Sequence, residues 1–257
     1  MISVCGERLL PDVSGAVYVP GCDTLIVSDL HLEKGSSYAR RGVALPPYDT
    51  RTTLKRLAQV LRKYRPARVI SLGDSFHDPE APQRLSTVDR GVIAAMTQAH
   101  AWVWIAGNHE GLVDAPALGG SAAEEMALGK LVLRHEPRAA PATGEICGHL
   151  HPVGVIRQRG RRLRRRGFMS DGTRLVMPAF GAYTGGLNAL DAAFGAVFDT
   201  GFTAWLMGDT QVYPLPSSKL LPDEPASAAT PAAQALETGR SANRPRFQAI
   251  RKKSDRR

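Results

Sequence analysis

Five groups of histidine, aspartate and asparagine residues recur along the first 151 residues of the chain. They are Asp29-Leu30-His31, Gly73-Asp74, Gly107-Asn108-His109-Glu110, His135 and Gly148-His149-Leu150-His151. Imidazole and carboxylate groups suit divalent cations such as manganese, iron and zinc, and one Asp carboxylate can bridge two cations with its two oxygens. The residue types therefore indicate a site that holds a pair of divalent ions.

A short aliphatic run comes directly before each of these groups. The runs are Thr24–Ser28, Arg68–Leu72, Trp102–Ala106, Leu131–Arg134 and Gly144–Cys147. Runs of this length are typical of buried strands, and ligands in open α/β sheets gather outside the carboxyl ends of the strands. We therefore expect the five groups to converge in space.

The local spacing supports the same interpretation. Side chains alternate along an extended segment, so Asp29 and His31 are expected to lie on one side and to bind one ion together. His149 and His151 can reach one centre from a short turn, and the glycines of the second, third and fifth groups let the backbone turn tightly beside the ions. Any one motif is compatible with polar loop residues, but the ordered set after strand-like runs favours metal binding.

Helical patterns separate the strand-like runs. Apolar residues between Leu54 and Leu61 follow the spacing of one helix face, with Asp49 expected to cap that helix and Pro66 to end it. A second helix is predicted to begin at Ser86, which forms a capping-box pattern with Asp89. The apolar face of this second helix is predicted to carry Val88, Val92 and Met96.

The pattern changes after His151 to short strand-like runs that turn signals separate. These runs are Val153–Ile156, Leu163–Phe168, Arg174–Met177, Ala193–Phe198 and Thr203–Met207. They predict a mostly antiparallel sheet, whereas the alternation of strands and helices before them predicts an α/β sheet. Together the two halves predict two sheets that pack face to face with helices outside.

The composition predicts one domain followed by a tail. A chain of 257 residues, 43% of them hydrophobic, can bury one substantial core. From Ser217 onward Pro, Ala, Ser and charged residues dominate, so residues 1–216 are predicted to form the domain and 217–257 a disordered basic tail. The net charge of +9 favours polyanionic partners such as nucleic acid.

The three cysteines and the hydropathy pattern bear on the location of the protein. Cys5, Cys22 and Cys147 are odd in number and include no Cys-x-x-Cys pair, which argues against a disulfide framework and a zinc-thiolate site. A reducing cytoplasm is the expected location. No apolar run is long enough for a transmembrane helix, and the N-terminus does not resemble a secretory signal, so no membrane association is expected.

Residues 157–166 contain seven arginines and no acid, and Gly160 predicts a hairpin turn among them. An arginine hairpin near the ions would attract a phosphate backbone without reading its sequence. Arg161, Arg162 and Arg164 are the candidate substrate contacts. The alternative is a solvated charge run on an edge strand.

The order of the five groups resembles the calcineurin-like metallophosphoesterase superfamily. A closer similarity, over about residues 1–215, is to the ligase-associated DNA-damage-response endonuclease (PdeM) family. The segments that carry this similarity are Asp29–Gly35 (DLHLEKG), Leu45–Asp49 (LPPYD), Gly73–His77 (GDSFH) and Pro178–Gly186 (PAFGAYTGG).

This resemblance implies a fold, an activity and partners. The fold would be an α/β, four-layer αββα sandwich with two mixed β-sheets flanked by helices. The activity would be manganese-dependent cleavage of phosphodiester bonds in DNA, with a single strand as the expected substrate, and iron, zinc or magnesium as other candidate metals. A functional association with a DNA ligase and an Lhr-like helicase in DNA repair is also implied.

The resemblance also implies residue roles. One metal would be bound by Asp29, His31, Asp74 and His151. The other would be bound by Asp74, Asn108, His135 and His149, with Asp74 bridging. His109 would face the phosphate and protonate the leaving oxygen. Glu110 stands where many relatives have Asp, which weakens its expected role of orienting His109, and His77 is either a substrate contact or a polar loop histidine.

Other functions remain open at this point. The same metal core would serve a phosphatase or phosphodiesterase that acts on a small nucleotide or another phosphoester, because fold does not decide substrate. A scaffold without catalysis would be expected to have lost ligands, and every expected ligand is present. A purely DNA-binding module would not explain the histidines.

Overall fold

A computed structural model describes residues 1–112 and 115–224 of the chain. Residues Met1–Asp223 form one folded unit, and two β-sheets make up most of it. The sheets contain both parallel and antiparallel neighbours, so each is mixed.

The first sheet has seven strands in chain order. They are β1 (Ile2–Val4), β2 (Glu7–Pro11), β3 (Val17–Val19), β4 (Thr24–Ser28), β5 (Arg68–Leu72), β6 (Ala101–Ile105) and β7 (Ser121–Ala123). The strands from β1 to β4 are antiparallel neighbours, and those from β4 to β7 are parallel. The parallel strands therefore end at one edge, as the strand-end motifs require.

The second sheet has nine strands. They are β8 (Glu125–Leu128), β9 (Leu131–Arg134), β10 (Glu145–Cys147), β11 (Pro152–Gln158), β12 (Arg161–Ser170), β13 (Arg174–Val176), β14 (Leu187–Asn188), β15 (Thr203–Met207) and β16 (Val212–Pro216). The order is β14-β11-β12-β13-β10-β9-β8, and β15 pairs with β12 and β16. Strand β10 is parallel to β9 and β13.

Six α-helices lie in the described residues. They are α1 (Lys34–Arg40), α2 (Asp49–Tyr64), α3 (Ala81–Arg84), α4 (Thr87–Ala99), α5 (Ala115–Leu118) and α6 (Ala192–Gly195). Short 3-10 helices occupy Pro20–Cys22 and Ser217–Lys219. Within the described part of the chain, none of the helices has the length and apolar character needed to cross a bilayer.

The core is divided by the sheets into layers. Leu25 and Val27 of β4 pack with the apolar face of α2, whereas Ile26 between them packs with Ile146 and Phe168 of the second sheet. A third cluster covers the opposite face of the second sheet and includes Phe194 of α6. The predicted four-layer αββα sandwich is confirmed.

Most of the predicted elements are present, but two of the predicted features differ in the structure. The run Ala193–Phe198 is not a strand, because Asp191 accepts a hydrogen bond from the Ala193 N–H at 2.9 Å and begins helix α6. Asp49 does not cap α2; its carboxylate accepts the Gly35 N–H at 3.0 Å instead.

The second helix begins as predicted, and two of its three predicted apolar residues face the core. The Ser86 hydroxyl accepts the Asp89 N–H at 3.1 Å, which confirms the cap. Val88, however, is 64% exposed. Met96 is buried together with Ile93 and Thr97, and Val92 packs partly buried against the core, so of the three predicted residues Val88 alone points to solvent.

The folded unit extends beyond the predicted boundary at residue 216. Leu220 is buried in the third core cluster, and the Leu221 N–H donates to the Val155 carbonyl at 2.8 Å. These apolar residues lie inside a polar segment, so composition alone placed the boundary too early. The rest of the predicted tail, residues 225–257, lies outside the described residues.

Candidate metal centre

The side chains that follow the five strands meet at one end of the two sheets. The seven predicted ligands are Asp29, His31, Asp74, Asn108, His135, His149 and His151. Asp29, His31 and His151 form one cluster and Asp74, His135 and His149 form another, and the donor atoms within each cluster lie within 4.8 Å of one another. The structure therefore brings together side chains that are up to 122 positions apart in the sequence.

The first cluster consists of one carboxylate and two imidazoles. Asp29 Oδ1 lies 3.0 Å from His151 Nε2, and His151 Nε2 lies 3.3 Å from His31 Nε2. Asp29 is fully buried. Burial would raise the pKa of its carboxyl, but the surrounding imidazoles, His151 foremost, hold that pKa far below its usual value.

The second cluster includes the predicted amide ligand. Asn108 Oδ1 lies 2.8 Å from His135 Nε2 and 3.0 Å from His149 Nδ1, and the two imidazole nitrogens are 3.3 Å apart. Asp74 Oδ2 lies 3.3 Å from His135 Nε2. Four donor atoms from four chain segments thus face one point.

Asp74 joins the two clusters through one oxygen. Its Oδ2 is 3.3 Å from His135 Nε2 in the second cluster and 3.8 Å from His31 Nε2 in the first. Its Oδ1 accepts the backbone N–H of His109 at 3.0 Å. The expectation that two oxygens would face two ions is therefore corrected, because one oxygen faces both clusters and the other holds the next loop.

The hydrogen-bond pattern of His135 fits a cation at the second cluster. Its Nδ1 lies 3.0 Å from the Leu72 carbonyl, which can only accept, so Nδ1 carries the hydrogen. The lone pair of Nε2 then faces Asp74 Oδ2 and Asn108 Oδ1, which are themselves acceptors. Burial alone would lower the pKa of His135, but the Asp74 and Asp29 carboxylates raise it to about 9. Either a proton or a metal ion is thus drawn to this nitrogen.

The backbone around the ligands is unusual. Five ligands have positive φ angles in the left-handed region: Asp29, His31, Asp74, His149 and His151. Non-glycine residues rarely adopt this conformation, and it concentrates at functional sites. Asp29 and His31 therefore converge through a left-handed turn, not through the extended segment that the sequence suggested.

The three glycines beside the ligands are required by close approach. A Cβ atom on Gly148 would lie 1.8 Å from Ser28 Oγ, and one on Gly107 would lie 2.1 Å from the Asp74 nitrogen. A Cβ on Gly73 would lie 2.5 Å from the His135 ring. The predicted tight packing of the backbone beside the donors is confirmed.

His109 is held differently from the ligands. Its Nδ1 lies 2.8 Å from the His77 carbonyl, so Nδ1 carries the hydrogen and Nε2 faces Asp74 Oδ2 at 3.7 Å. Its side chain is 37% exposed, against 4% for His31 and His135. The imidazole is therefore open to a substrate while its orientation is fixed from behind.

Glu110 does not contact His109 as the sequence suggested. Its Oε1 accepts the Ser75 N–H at 2.8 Å, which ties the loop after β6 to the loop after β5. Burial, and then the Asp74 charge, raise the pKa of Glu110 to about 8. The longer acid thus supports the two loops that carry Asp74 and Asn108.

His77 and Ser28 lie directly behind the ligands. His77 Nδ1 is 3.4 Å from His31 Nδ1, and burial followed by the Lys34 charge lowers the pKa of His77 to about 4. Ser28 Oγ donates to Asp29 Oδ2 at 2.5 Å. The sequence analysis missed Ser28, because a serine at the end of a strand carries no distinctive signal.

The predicted arginine hairpin is formed by β11 and β12, with Arg159 and Gly160 at its turn. Arg162 donates to the Pro222 carbonyl, and Arg164 donates to the Gly186 carbonyl at 2.6 Å and lies near Asp223. Arg161 is exposed at the tip. The contacts shown for Arg162 and Arg164 are therefore to Pro222, Gly186 and Asp223 and not to the predicted metal ligands.

The chain matches known proteins over this region. The family model of the calcineurin-like phosphoesterases matches residues 23–177. Nuclease MPE from Pseudomonas putida, a solved structure, is 28% identical with a TM-score of 0.64, and the match covers 83% of this chain and 98% of that one. No curated protein sequence matches the chain.

Two more distant structures were also found. Yfce, a phosphoesterase from E. coli, is 16% identical with a TM-score of 0.39, covering 75% of this chain and 97% of that one. AQ665 from Aquifex aeolicus, of unknown function, is 15% identical with a TM-score of 0.36, covering 50% and 78%. The family model, in contrast, spans more than half of the chain and all seven ligand positions. The protein therefore belongs to the calcineurin-like phosphoesterases, a family of metal-dependent hydrolases.

Proposed function

We propose that the protein is a DNA endonuclease that uses two divalent ions, manganese in the first place, to hydrolyse phosphodiester bonds in single-stranded DNA. The observation that carries this proposal is the pair of donor clusters joined by one oxygen of Asp74. A buried arrangement of nitrogen and oxygen donors without thiolates suits such ions.

The distances within the clusters support two ligand sets. One ion would be held by Asp29, His31, Asp74 and His151. The other would be held by Asp74, Asn108, His135 and His149. Paired divalent ions polarise phosphoryl oxygens and lower the pKa of water.

His109 is the residue that we assign to proton transfer at the leaving oxygen. The His77 carbonyl accepts the Nδ1 hydrogen, which leaves Nε2 of this partly exposed ring 3.7 Å from Asp74 Oδ2 and without a hydrogen of its own. A proton on Nε2 can pass to the oxygen that departs from phosphorus, and the imidazolium also offsets charge on the phosphoryl group. The hydrogen bond from the His109 backbone N–H to Asp74 Oδ1 fixes the positions of the two residues relative to each other.

A nucleic-acid substrate is supported by charge and by similarity. The chain carries a net charge of +9, and seven arginines lie on the hairpin that begins directly after His151. Polycations of this kind bind phosphate backbones. The similar structure from Pseudomonas putida is named as a nuclease.

A role in DNA repair, with a DNA ligase and an Lhr-like helicase as functional partners, is proposed on the resemblance of the motifs to the ligase-associated endonucleases. A cytoplasmic location is proposed with it. Cys5, Cys22 and Cys147 are free thiols in the structure, which suits a reducing compartment.

The test is an activity assay on purified protein with manganese, magnesium or zinc. Single-stranded DNA, duplex DNA, bis-p-nitrophenyl phosphate and a nucleoside monophosphate would be compared. We expect internal cleavage of the single strand with manganese. The Asp74→Asn protein serves as the control and should be inactive. Rapid hydrolysis of the monophosphate without DNA cleavage would contradict the proposal and favour a phosphatase or small-molecule phosphodiesterase.

A further inference from the structure

Lys34 begins helix α1, three residues after His31, and has no role in the chemistry above. Its side chain is partly buried, and burial lowers the pKa of its ammonium group. Among the described residues its ammonium group forms no hydrogen bond and no ion pair, and Nζ lies 5.8 Å from the centroid of the Tyr38 ring. A partly buried cation that forms no ion pair is costly unless a ligand supplies the opposite charge.

The acid that acts on Lys34, Asp49, has another partner, and so does Asp78 beside His77. Asp49 offsets part of the burial effect on the pKa of Lys34, and its Oδ2 accepts the Gly35 N–H at 3.0 Å. Asp78 is held by the Arg84 guanidinium through two contacts of 2.9 and 2.6 Å. The positive charge of Lys34 therefore stays available to a ligand.

Three aromatic rings in contact with one another connect Lys34 to the metal centre: those of Tyr38, His77 and His109. The Tyr38 ring lies 5.7 Å from the His77 ring, and the His77 ring lies 5.1 Å from the His109 ring, measured between centroids. His109 Nε2 in turn lies 3.7 Å from Asp74 Oδ2. The ammonium is also close enough to His77 to lower its pKa. Lys34 is thus connected to His109 through the rings of Tyr38 and His77.

We propose that Lys34 binds a second phosphate group of the substrate, next to the phosphodiester that is cleaved. The proposal rests on the endonuclease function, because a DNA strand presents one phosphate for each nucleotide and a simple diester presents one in total. Contact between an ammonium and a phosphate is charge-assisted and independent of base sequence. The subsite would favour a strand over a small diester.

The experiment compares two tetrathymidylates, each with three internucleotide linkages, in the presence of manganese. In one, all linkages are phosphodiesters; in the other, the linkages flanking the central phosphodiester are uncharged methylphosphonates. The quantity measured is the ratio of kcat/KM for cleavage at the central linkage. A thymidine dinucleotide with and without a 5′-phosphate shows whether a terminal phosphate can replace the internucleotide one.

The wild-type protein should cleave the fully charged strand about tenfold better, the effect of one contact to a charged group. Lys34→Gln should bring this ratio close to one, and Lys34→Arg should retain most of it. Lys130→Gln, which removes an exposed lysine between β8 and β9, serves as the matched control and should leave the ratio unchanged.

The outcomes separate the two proposals. If the wild type cleaves both strands and Lys34→Gln leaves the ratio unchanged, the subsite is overturned and the nuclease function stands. A general loss of activity in Lys34→Gln with an unchanged ratio leads to the same conclusion. If the wild type hydrolyses bis-p-nitrophenyl phosphate but no DNA strand of any length, both proposals fail.

Discussion

At the scale of single residues, the centre depends on Asp74 and on glycines that leave room for it. One carboxylate oxygen faces both clusters, and the other accepts the His109 N–H. The convergence of these residues at one site could be predicted from the sequence, because side chains that suit metal ions follow each buried strand. The left-handed backbone of Asp29, His31 and Asp74 could not, because contacts between distant segments impose it.

The separate roles of Asp74 and His109 lead to a first prediction. Asp74→Asn should abolish turnover and lower the bound metal, because it weakens both donor clusters. His109→Ala should slow turnover by about 10²–10⁴-fold, the usual effect of losing one acid–base group, while metal content stays normal. Metal analysis beside steady-state kinetics checks this, and equal metal loss in both variants would refute the division of roles.

A second prediction concerns Gly148. A methyl group there would lie 1.8 Å from Ser28 Oγ and 2.4 Å from Asp29 Oδ2, so Gly148→Ala should displace Asp29 and reduce bound metal and activity together. Gly91→Ala is the matched control, because nothing lies within 4 Å of the new methyl group on helix α4. The Gly91→Ala substitution should raise the free energy of unfolding by about 0.5–1 kcal/mol. A Gly148→Ala protein with full metal content would contradict this prediction.

At the scale of elements, parallel strands place the ligands and small local contacts fix the helices. Aliphatic runs such as Thr24–Ser28 are recognisable in the sequence because both faces of these strands are buried. Helix ends are harder to predict, since Asp49 looks like a cap but contacts Gly35. Ala193–Phe198 looks like a strand, but Asp191 caps a helix there. A contact between distant segments decided the first case, and a local cap decided the second.

A third prediction concerns the attachment of helix α2 to the turn after β2. Asp12 is buried, and its carboxylate is bonded by Lys63 at 2.5 Å, by Tyr64 at 3.0 Å and by the Ser14 N–H at 2.8 Å. Burial would raise its pKa, but these bonds lower it below the ordinary value of 3.8. The resulting stability is present above the unfolded-state pKa and is lost as pH falls through the folded-state pKa.

Asp12→Asn should therefore destabilise the protein by about 1–2 kcal/mol at pH 7, the effect of hydrogen bonds to a charged group. The difference from wild type should shrink as pH falls below 3.8. Urea denaturation at several pH values measures it. A difference that does not change with pH would show that the carboxylate charge is not responsible.

At the scale of the whole molecule, the chain carries a net charge of +9 and an arginine hairpin. Composition predicts a preference for polyanionic partners and one folded domain. It placed the domain end at residue 216, whereas the folded unit continues to Asp223, because Leu220 and Leu221 pack within a segment that is polar on average.

A fourth prediction follows for binding to single-stranded DNA. Affinity should fall steeply with salt, and replacing Arg161 and Arg164 with Gln should reduce the slope of log K against log salt by about one to two. Arg62→Gln, an exposed arginine near the end of α2, is the control and should leave the slope unchanged. Fluorescence anisotropy over a salt series measures it, and equal slopes for all three proteins would count against a role of the hairpin.

The most direct measurement is anomalous X-ray diffraction from crystals of the protein grown with manganese. The account predicts two manganese peaks: one beside Asp29, His31 and His151, the other beside Asn108, His135 and His149, with Asp74 Oδ2 between them. A single peak, or manganese bound away from these residues, would contradict the paired-ion centre.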